Sequence, residues 1–265
     1  MLATALYIFS LIIVLGYTSV IFFIAQFKKD NSIIDILYGL GFIITAYTLM
    51  LEKMGGAILP SSSVVILILI TLWGIRLSLR IFIKNKGKPE DFRYATWRTQ
   101  WMRKGIAYYY ARSYLQIFIL QGCIISLVLL PFTLSLTTTA PPDYRIVIGI
   151  LIWILGFVIE SVGDRQLDRF IKSKAVNKGT IMQTGLWKYS RHPNYFGESM
   201  MWFGIACISL STGASYLVLL SPFLITYLLL FVSGIPLLEK KWEGIPEWEV
   251  YKRTTSAFIP LPKKK

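Results

Sequence analysis

The chain has little of what metal centres and covalent cross-links are made from. Among 265 residues there is one histidine, His192, and two cysteines, Cys123 and Cys207. A single imidazole excludes a His-based metal cluster. Two cysteines set inside apolar stretches exclude a zinc site and argue against a structural disulfide. Charge is also scarce: Asp, Glu, Lys and Arg make up 16% of the chain, against about 25% in soluble domains, so water is the wrong solvent for most of its surface. Acid is scarcer than base, 14 residues against 28, leaving a net charge of +14. No repeat with a period of 20 to 50 residues is present, which removes solenoids and propellers. No low-complexity stretch exists beyond Pro262-Lys263-Lys264-Lys265.

What is present is apolar sequence in long runs. A membrane-crossing helix needs about 20 mainly apolar residues. Seven segments supply them: Leu2–Gln26, Ile33–Leu51, Ser62–Ile83, Leu115–Leu136, Ile146–Gly163, Tyr195–Leu210 and Tyr216–Leu237. The expected fold is an all-α integral membrane bundle of about seven transmembrane helices, a single domain over residues 1–265. The first span opens Met1-Leu2-Ala3, without a basic leader or a small-residue cleavage site, and reads as a retained helix rather than a signal peptide.

The basic excess could suggest a nucleic-acid partner, but its distribution favours topology instead. With the N-terminus outside and the C-terminus cytoplasmic, 26 of the 28 basic residues fall in cytoplasmic segments, and only Lys53 and Arg145 lie on the other side. This is the positive-inside pattern. It leaves anionic membrane lipid or a phosphorylated ligand as partners, and no nucleic acid. The cytoplasmic segments are also the long ones: Lys84–Arg112, Asp164–Asn194 and Glu239–Lys265. Function tends to sit on loops held by a rigid scaffold. Within the first of them, Thr96–Tyr110 mixes aromatic and basic residues. It reads either as a surface segment in the lipid headgroup region or as a lid over a cofactor.

The most informative stretch runs from Gly185 to Gly204 and contains Gly-Leu-Trp-Lys-Tyr-Ser-Arg-His-Pro-Asn-Tyr-Phe-Gly-Glu. Pro193 suits the first position of a helix, where its missing N–H costs nothing. A helix from there puts Asn194, Glu198 and Trp202 on one face at i, i+4 and i+8. An ionisable group at that depth needs a partner or a wet cavity. Glu198 is either in a structural ion pair, with Arg80 or Arg191, or part of a site. For the latter, Arg191, His192 and the helix-start N–H groups would form an anion site for a phosphate-bearing cofactor. Further upstream, Glu160, Asp164 and Asp168 share one face beside a basic row of Arg165, Arg169 and Lys172. That row is either a solvated helix end laced with ion pairs or a pocket wall, with carboxylates for ribose hydroxyls and cations for phosphates.

At these residues the chain resembles the steroid 5-alpha-reductase-like membrane enzymes, especially the bacterial branch known by a domain of unknown function. Agreement extends to Thr71-Leu-Trp-Gly-Ile-Arg76-Leu with Arg80, Glu90-Asp91-Phe-Arg93-Tyr94, Asp164-Arg-Gln-Leu, Ile235-Pro-Leu-Leu-Glu239-Lys-Lys-Trp242 and Ala257-Phe-Ile-Pro260. It covers roughly residues 30 to 262. The resemblance implies NADPH-dependent reduction of an activated carbon–carbon double bond in a steroid-like or other lipid substrate, with a site open to the cytoplasm, in an enzyme expected in the bacterial inner membrane. It assigns Asn194, Glu198 and Trp202 to the cofactor pocket, with Asp164 and Arg80. The wider cofactor set it suggests takes in Arg169, Lys172, Tyr189, Arg191, His192, Tyr195, Glu239, Lys240 and Tyr251.

The sequence departs from the steroid enzymes at their catalytic tyrosine, which corresponds to Leu77 here. The acid must then come from elsewhere. Asp35 with Tyr38 on the second span is the nearest source, and Glu198 or a bound water is the fallback. The bland reading of the pair is a helix cap with an interfacial aromatic. Arg-His-Pro followed by Tyr and Gly also occurs in the related isoprenylcysteine carboxyl methyltransferases, which use S-adenosylmethionine. A non-catalytic lipid-binding scaffold is the third reading.

Overall fold

A computed structural model describes residues 2–54, 60–174 and 181–263. Part of the expected outer loop after the second span, the middle of the Asp164–Asn194 segment with Lys178, and Lys264 and Lys265 of the basic tail lie outside the described residues. The protein is all-α: among the described residues there is no strand, only an isolated parallel bridge between Ser190 and Ser256. Among the described residues, six helices are long and apolar enough to cross a membrane, spanning Leu2–Lys28, Ile33–Lys53, Ser61–Asn85, Ile106–Val128, Arg145–Ser173 and Tyr216–Trp242. Together with their lipid-facing apolar surface, which includes Phe23, Ile83 and Phe231, they make this an integral membrane protein. The expected sixth span is also a helix, Pro193–Leu210, 18 residues long. It stands apart from those six because its first turns carry Asn194 and Glu198.

The chain divides into two compact units, Met1–Asp143 with Ser209–Val218, and Tyr144–Ile208 with Leu219–Lys265. In the first, α1 (Leu2–Lys28), α2 (Ile33–Met54) and α3 (Ser61–Asn85) are followed by the amphipathic α4 (Phe92–Met102) and α5 (Ile106–Ser113). A π-helical stretch, Tyr114–Ile119, then leads into α6 (Leu120–Val128) and α7 (Leu130–Ser135). Gly39 of α2 and Gly74 of α3 meet backbone to backbone, and a β-carbon on either would collide with the other's carbonyl oxygen. Small residues let membrane helices approach this closely. The fourth span begins nine residues earlier than the apolar run suggests, at Ile106 rather than Leu115. The aromatic residues Tyr108, Tyr109 and Tyr110 continue the helix, and Gly105, at φ 109°, turns the chain between α4 and α5.

In the second unit α8 (Arg145–Lys174) runs well past the expected end at Gly163. It pairs with α9 (Pro193–Leu210). The remainder is α10 (Leu220–Tyr227), a π-helical stretch Leu228–Val232, α11 (Ile235–Glu239) and α12 (Pro246–Thr254). The α8–α9 seam is built from glycines seven residues apart on each helix. A β-carbon on Gly149 would lie 2.6 Å from the Gly204 carbonyl oxygen, and one on Gly156 would lie 2.6 Å from that of Gly197. Gly163 packs against the backbone of Asn194 at the end of the same seam.

Candidate functional site

The glycine seam determines where the polar residues of the second unit fall. With α8 and α9 at backbone contact, Gly197 lies against the backbone of Glu160, and Gly163 against Asn194. Glu160 and Asp164 of α8 are therefore neighbours of the Asn194–Glu198 end of α9. Glu160, Asp164 and Trp202 are all buried. Asn194 is half-buried, and its side-chain Oδ1 is shut off from solvent while accepting no hydrogen bond from the described residues. A buried carbonyl oxygen without a donor costs about 1–3 kcal/mol. Such an atom calls for a ligand donor or a water.

The stretch before α9 is held by a different logic. Gly185, at φ 62°, sits against Gln166, whose side chain accepts the Leu186 N–H at 2.9 Å. Trp187 donates its indole N–H to the Gly163 carbonyl at 3.0 Å, which pins the loop to α8. Arg191 is buried and uses four of its five N–H groups. Nε and Nη2 bind the two oxygens of Glu239 at 2.8 and 3.3 Å, and Nη1 donates to the carbonyls of Lys252 and Thr255 at 2.9 and 2.6 Å. His192 Nε2 is 2.9 Å from Glu239 Oε1. Facing a carboxylate already paired with Arg191, that nitrogen carries the proton and Nδ1 is left as an acceptor. Burial holds the His192 pKa below the usual imidazole range, although the hydrogen bond and the charge of Glu239 pull the other way. Tyr251 donates to the Trp187 carbonyl at 2.5 Å, and burial raises its pKa.

The expected cofactor residues thus sort into groups. Asn194, Glu198 and Trp202 share a face of α9, with Asp164 beside them on α8. Arg191, His192, Glu239 and Tyr251 form a buried knot that ties the motif to the C-terminal segment. The anion site expected from Arg191 meets a physical obstacle there, because four of the five guanidinium N–H groups are already taken by Glu239 and two carbonyls, and Glu239 already offsets its charge. Tyr195 stacks on His192 with ring centroids 5.4 Å apart. Arg169, Lys172 and Lys240 are exposed, as is Tyr189, which Lys188 approaches to 5.8 Å. Arg80 is on α3 of the first unit.

The expected acid also lies in the first unit, and its surroundings were not foreseen. Asp35 receives Arg93 Nη2 on Oδ2 at 2.9 Å and the Tyr94 hydroxyl on Oδ1 at 2.6 Å. Arg93 also grips Asp91 at 2.9 Å. Burial disfavours the charged form of Asp91, but the Arg93 side chain and backbone N–H outweigh it and hold its pKa below the usual range. Burial and then the adjacent Asp35 hold the Tyr94 pKa well above the usual phenol value. A carboxylate that receives two such donors is an acceptor, suited to positioning more than to giving up a proton. Tyr38, one turn on, makes an edge contact with Phe42 at 5.2 Å between centroids. The missed residues, Arg93 and Tyr94, stand in the Glu90-Asp91-Phe-Arg-Tyr stretch. Two acids and a basic–aromatic pair outside any apolar span were the available signal.

An all-α membrane protein with a buried, polar-faced helix pair is the class these features define. A family model described as a protein of unknown function, DUF1295, matches residues 21–255. The chain belongs to that family, within the steroid 5-alpha-reductase-like superfamily. The steroid 5-alpha-reductase DET2 of Arabidopsis thaliana is 32% identical to it over 120 residues, which is 44% of this chain and 42% of that protein. The match therefore spans less than half the length of that curated relative. No solved structure matches.

Proposed function

We propose that the protein is a membrane-embedded reductase that uses NADPH to reduce an activated carbon–carbon double bond in a steroid-like or other lipid substrate. The observation that carries this reading is the buried, donorless Oδ1 of Asn194 on the same face of α9 as Glu198 and Trp202. An amide oxygen in that state suits the carboxamide N–H of a nicotinamide. Trp202 provides an apolar wall, and the acids Glu160, Asp164 and Glu198 provide acceptors for ribose hydroxyls. The relative's name, a steroid 5-alpha-reductase, supports the same chemistry.

When bound, NADPH would supply the hydride. The chain's own contribution is to orient and to keep out water. The α8–α9 glycine seam fixes Asn194 relative to Asp164, and the Arg191–Glu239 knot fixes the segment that leads into α9. Developing negative charge on the substrate oxygen needs an acid. Asp35, held by Arg93 and Tyr94, is proposed to position that acid, and Tyr38 to donate the proton. Nucleotide fluorescence in detergent tests the cofactor assignment. Asn194→Ala is expected to weaken NADPH binding roughly fivefold to tenfold, the value of about 1 kcal/mol for one neutral hydrogen bond, and Glu198→Gln to weaken it further. Unchanged affinity in both variants overturns the reading.

A further inference from the structure

The fourth span carries an amide that neither the fold nor the proposed cofactor site uses. Gln121 stands just after the π-helical stretch Tyr114–Ile119. A π turn takes about one more residue than an α turn, so the stretch resets the face on which the later residues of the span fall. On that face Gln121 Nε2 reaches the Tyr94 hydroxyl oxygen at 3.4 Å, near the outer limit for a hydrogen bond. Tyr94 gives its own proton to Asp35 Oδ1 at 2.6 Å, so its oxygen can only accept, and the Gln121 atom facing it is the amide nitrogen. The Gln121 side chain makes no other hydrogen bond among the described residues, which leaves its second Nε2 proton and its Oε1 unused. The residue is half-buried. An amide inside a membrane span is costly unless its groups find partners.

Gln121 thus ends a row of donors, Gln121 to Tyr94 to Asp35, that joins α6, α4 and α2 within the first unit. Its depth follows from the packing of α2 on α6. Ile34 and Ile117 share one core cluster, and further along both helices a β-carbon on Gly41 would lie 3.1 Å from Ile125 Cδ1. The two helices therefore run the same way. Tyr38 and Gln121 each precede the Gly41–Ile125 contact by about one turn, which puts them at one level, a turn beyond Asp35. With Leu77 on α3, the third span brings no hydroxyl at that position. Resting on the reductase reading above, we propose that Gln121 is a substrate-binding residue whose free Nε2 proton is donated to the carbonyl oxygen that activates the substrate double bond. A neutral N–H fixed at that oxygen stabilises the charge that develops there as hydride arrives, and leaves delivery of the proton to Tyr38. The substrate class this implies is a lipid whose double bond is conjugated to a carbonyl.

The test uses the full-length protein in detergent, loaded with NADP+ so that no turnover occurs, and testosterone as probe, because its one carbonyl is the conjugated one. Affinity is titrated, and the carbonyl stretch of the bound probe is read by Raman difference spectroscopy. Wild type should bind the probe saturably and lower its carbonyl frequency below that in detergent alone. Gln121→Met, which keeps the length of the side chain and removes the donor, should bind it roughly fivefold to tenfold more weakly, the effect of one neutral hydrogen bond, and return the frequency to its detergent value. NADP+ affinity and the thermal midpoint should stay near those of wild type, which a merely structural Gln121 would not predict for a variant that loses the probe. Gln116→Met, a half-buried glutamine of the same span, should change neither affinity nor frequency. If wild type binds NADP+ but not the probe, if the frequency shift survives in Gln121→Met, or if Gln116→Met loses as much, the proposal alone is overturned. A wild type that binds no NADP+ overturns the reductase reading, and the proposal with it.

Discussion

Two halves of one motif, a few residues apart in sequence, are built on opposite principles. From Gly185 to His192 the buried polar side chains are partnered: Trp187 has Gly163, Ser190 has Phe258, Arg191 has Glu239 and two carbonyls, and His192 has Glu239. From Asn194 onward, the helix presents an amide oxygen with no donor among the described residues, on a face shared with a carboxylate and an indole. The comparison teaches how to divide a polar motif in a membrane protein. Partnered groups hold the scaffold, and the buried Asn194 oxygen, set among Glu160, Asp164 and Glu198, is where a ligand donor is sought. If this division is right, substitutions in the first half cost stability and those in the second cost binding.

The largest effect should come from Glu239→Ala, which strands the buried Arg191 guanidinium. Breaking a buried pair in this way costs about 3–5 kcal/mol, so a large fall in thermal stability in detergent is expected, and an unchanged midpoint would dissolve the distinction. Next is Gly156→Ala, whose new β-carbon meets the Gly197 carbonyl. Overpacking of this sort costs about 1–3 kcal/mol, and because the seam positions Asn194, nucleotide affinity should fall together with stability. A loss of stability alone would separate the seam from the site.

The seven apolar runs were legible in the sequence, and so was the shared face of Asn194, Glu198 and Trp202, because both follow from periodicity. The early start of the fourth span was not, since three consecutive tyrosines read equally well as surface. The extension of α8 past Gly163 was hidden because a charged row such as Asp164 to Lys172 fits a helix or a loop. The fate of Arg191 was also out of reach: its partners lie 48 to 64 residues downstream, and nothing local distinguishes a partnered guanidinium from an available one.

A smaller effect concerns pH. His192 has a folded-state pKa below its unfolded value of about 6.5, so the unfolded chain binds the extra proton first. Stability from this group is present above pH 6.5 and is lost as pH falls from there toward the depressed folded value. Thermal midpoints should drop between about pH 7.5 and 5.5, and His192→Gln should flatten that slope. A slope unaltered by the substitution would remove His192 from the knot's energetics.

The smallest change in stability is expected from Asp35→Asn, at about 1 kcal/mol, because Arg93 keeps Asp91 and the site is partly exposed. Its diagnostic value lies elsewhere. Once a substrate is in hand, turnover should collapse in Asp35→Asn and Tyr38→Phe while NADPH binding stays intact. Full activity in both would leave Glu198 or a bound water as the donor. The topology proposed from the basic residues has its own check, in which reporter fusions at Ser62 and Lys265 should land on opposite sides of the membrane.

The central claim is that the Asn194 half of the motif binds nucleotide while the Arg191 half holds the fold. It is tested most directly by titrating NADPH into detergent-solubilised wild type, Asn194→Ala and Glu198→Gln while recording the thermal midpoint of each unliganded protein. Saturable binding by the wild type, weakened in both variants at near-unchanged midpoints, is the expected result. Equal affinity in all three proteins, or binding lost only in step with the midpoint, would contradict it.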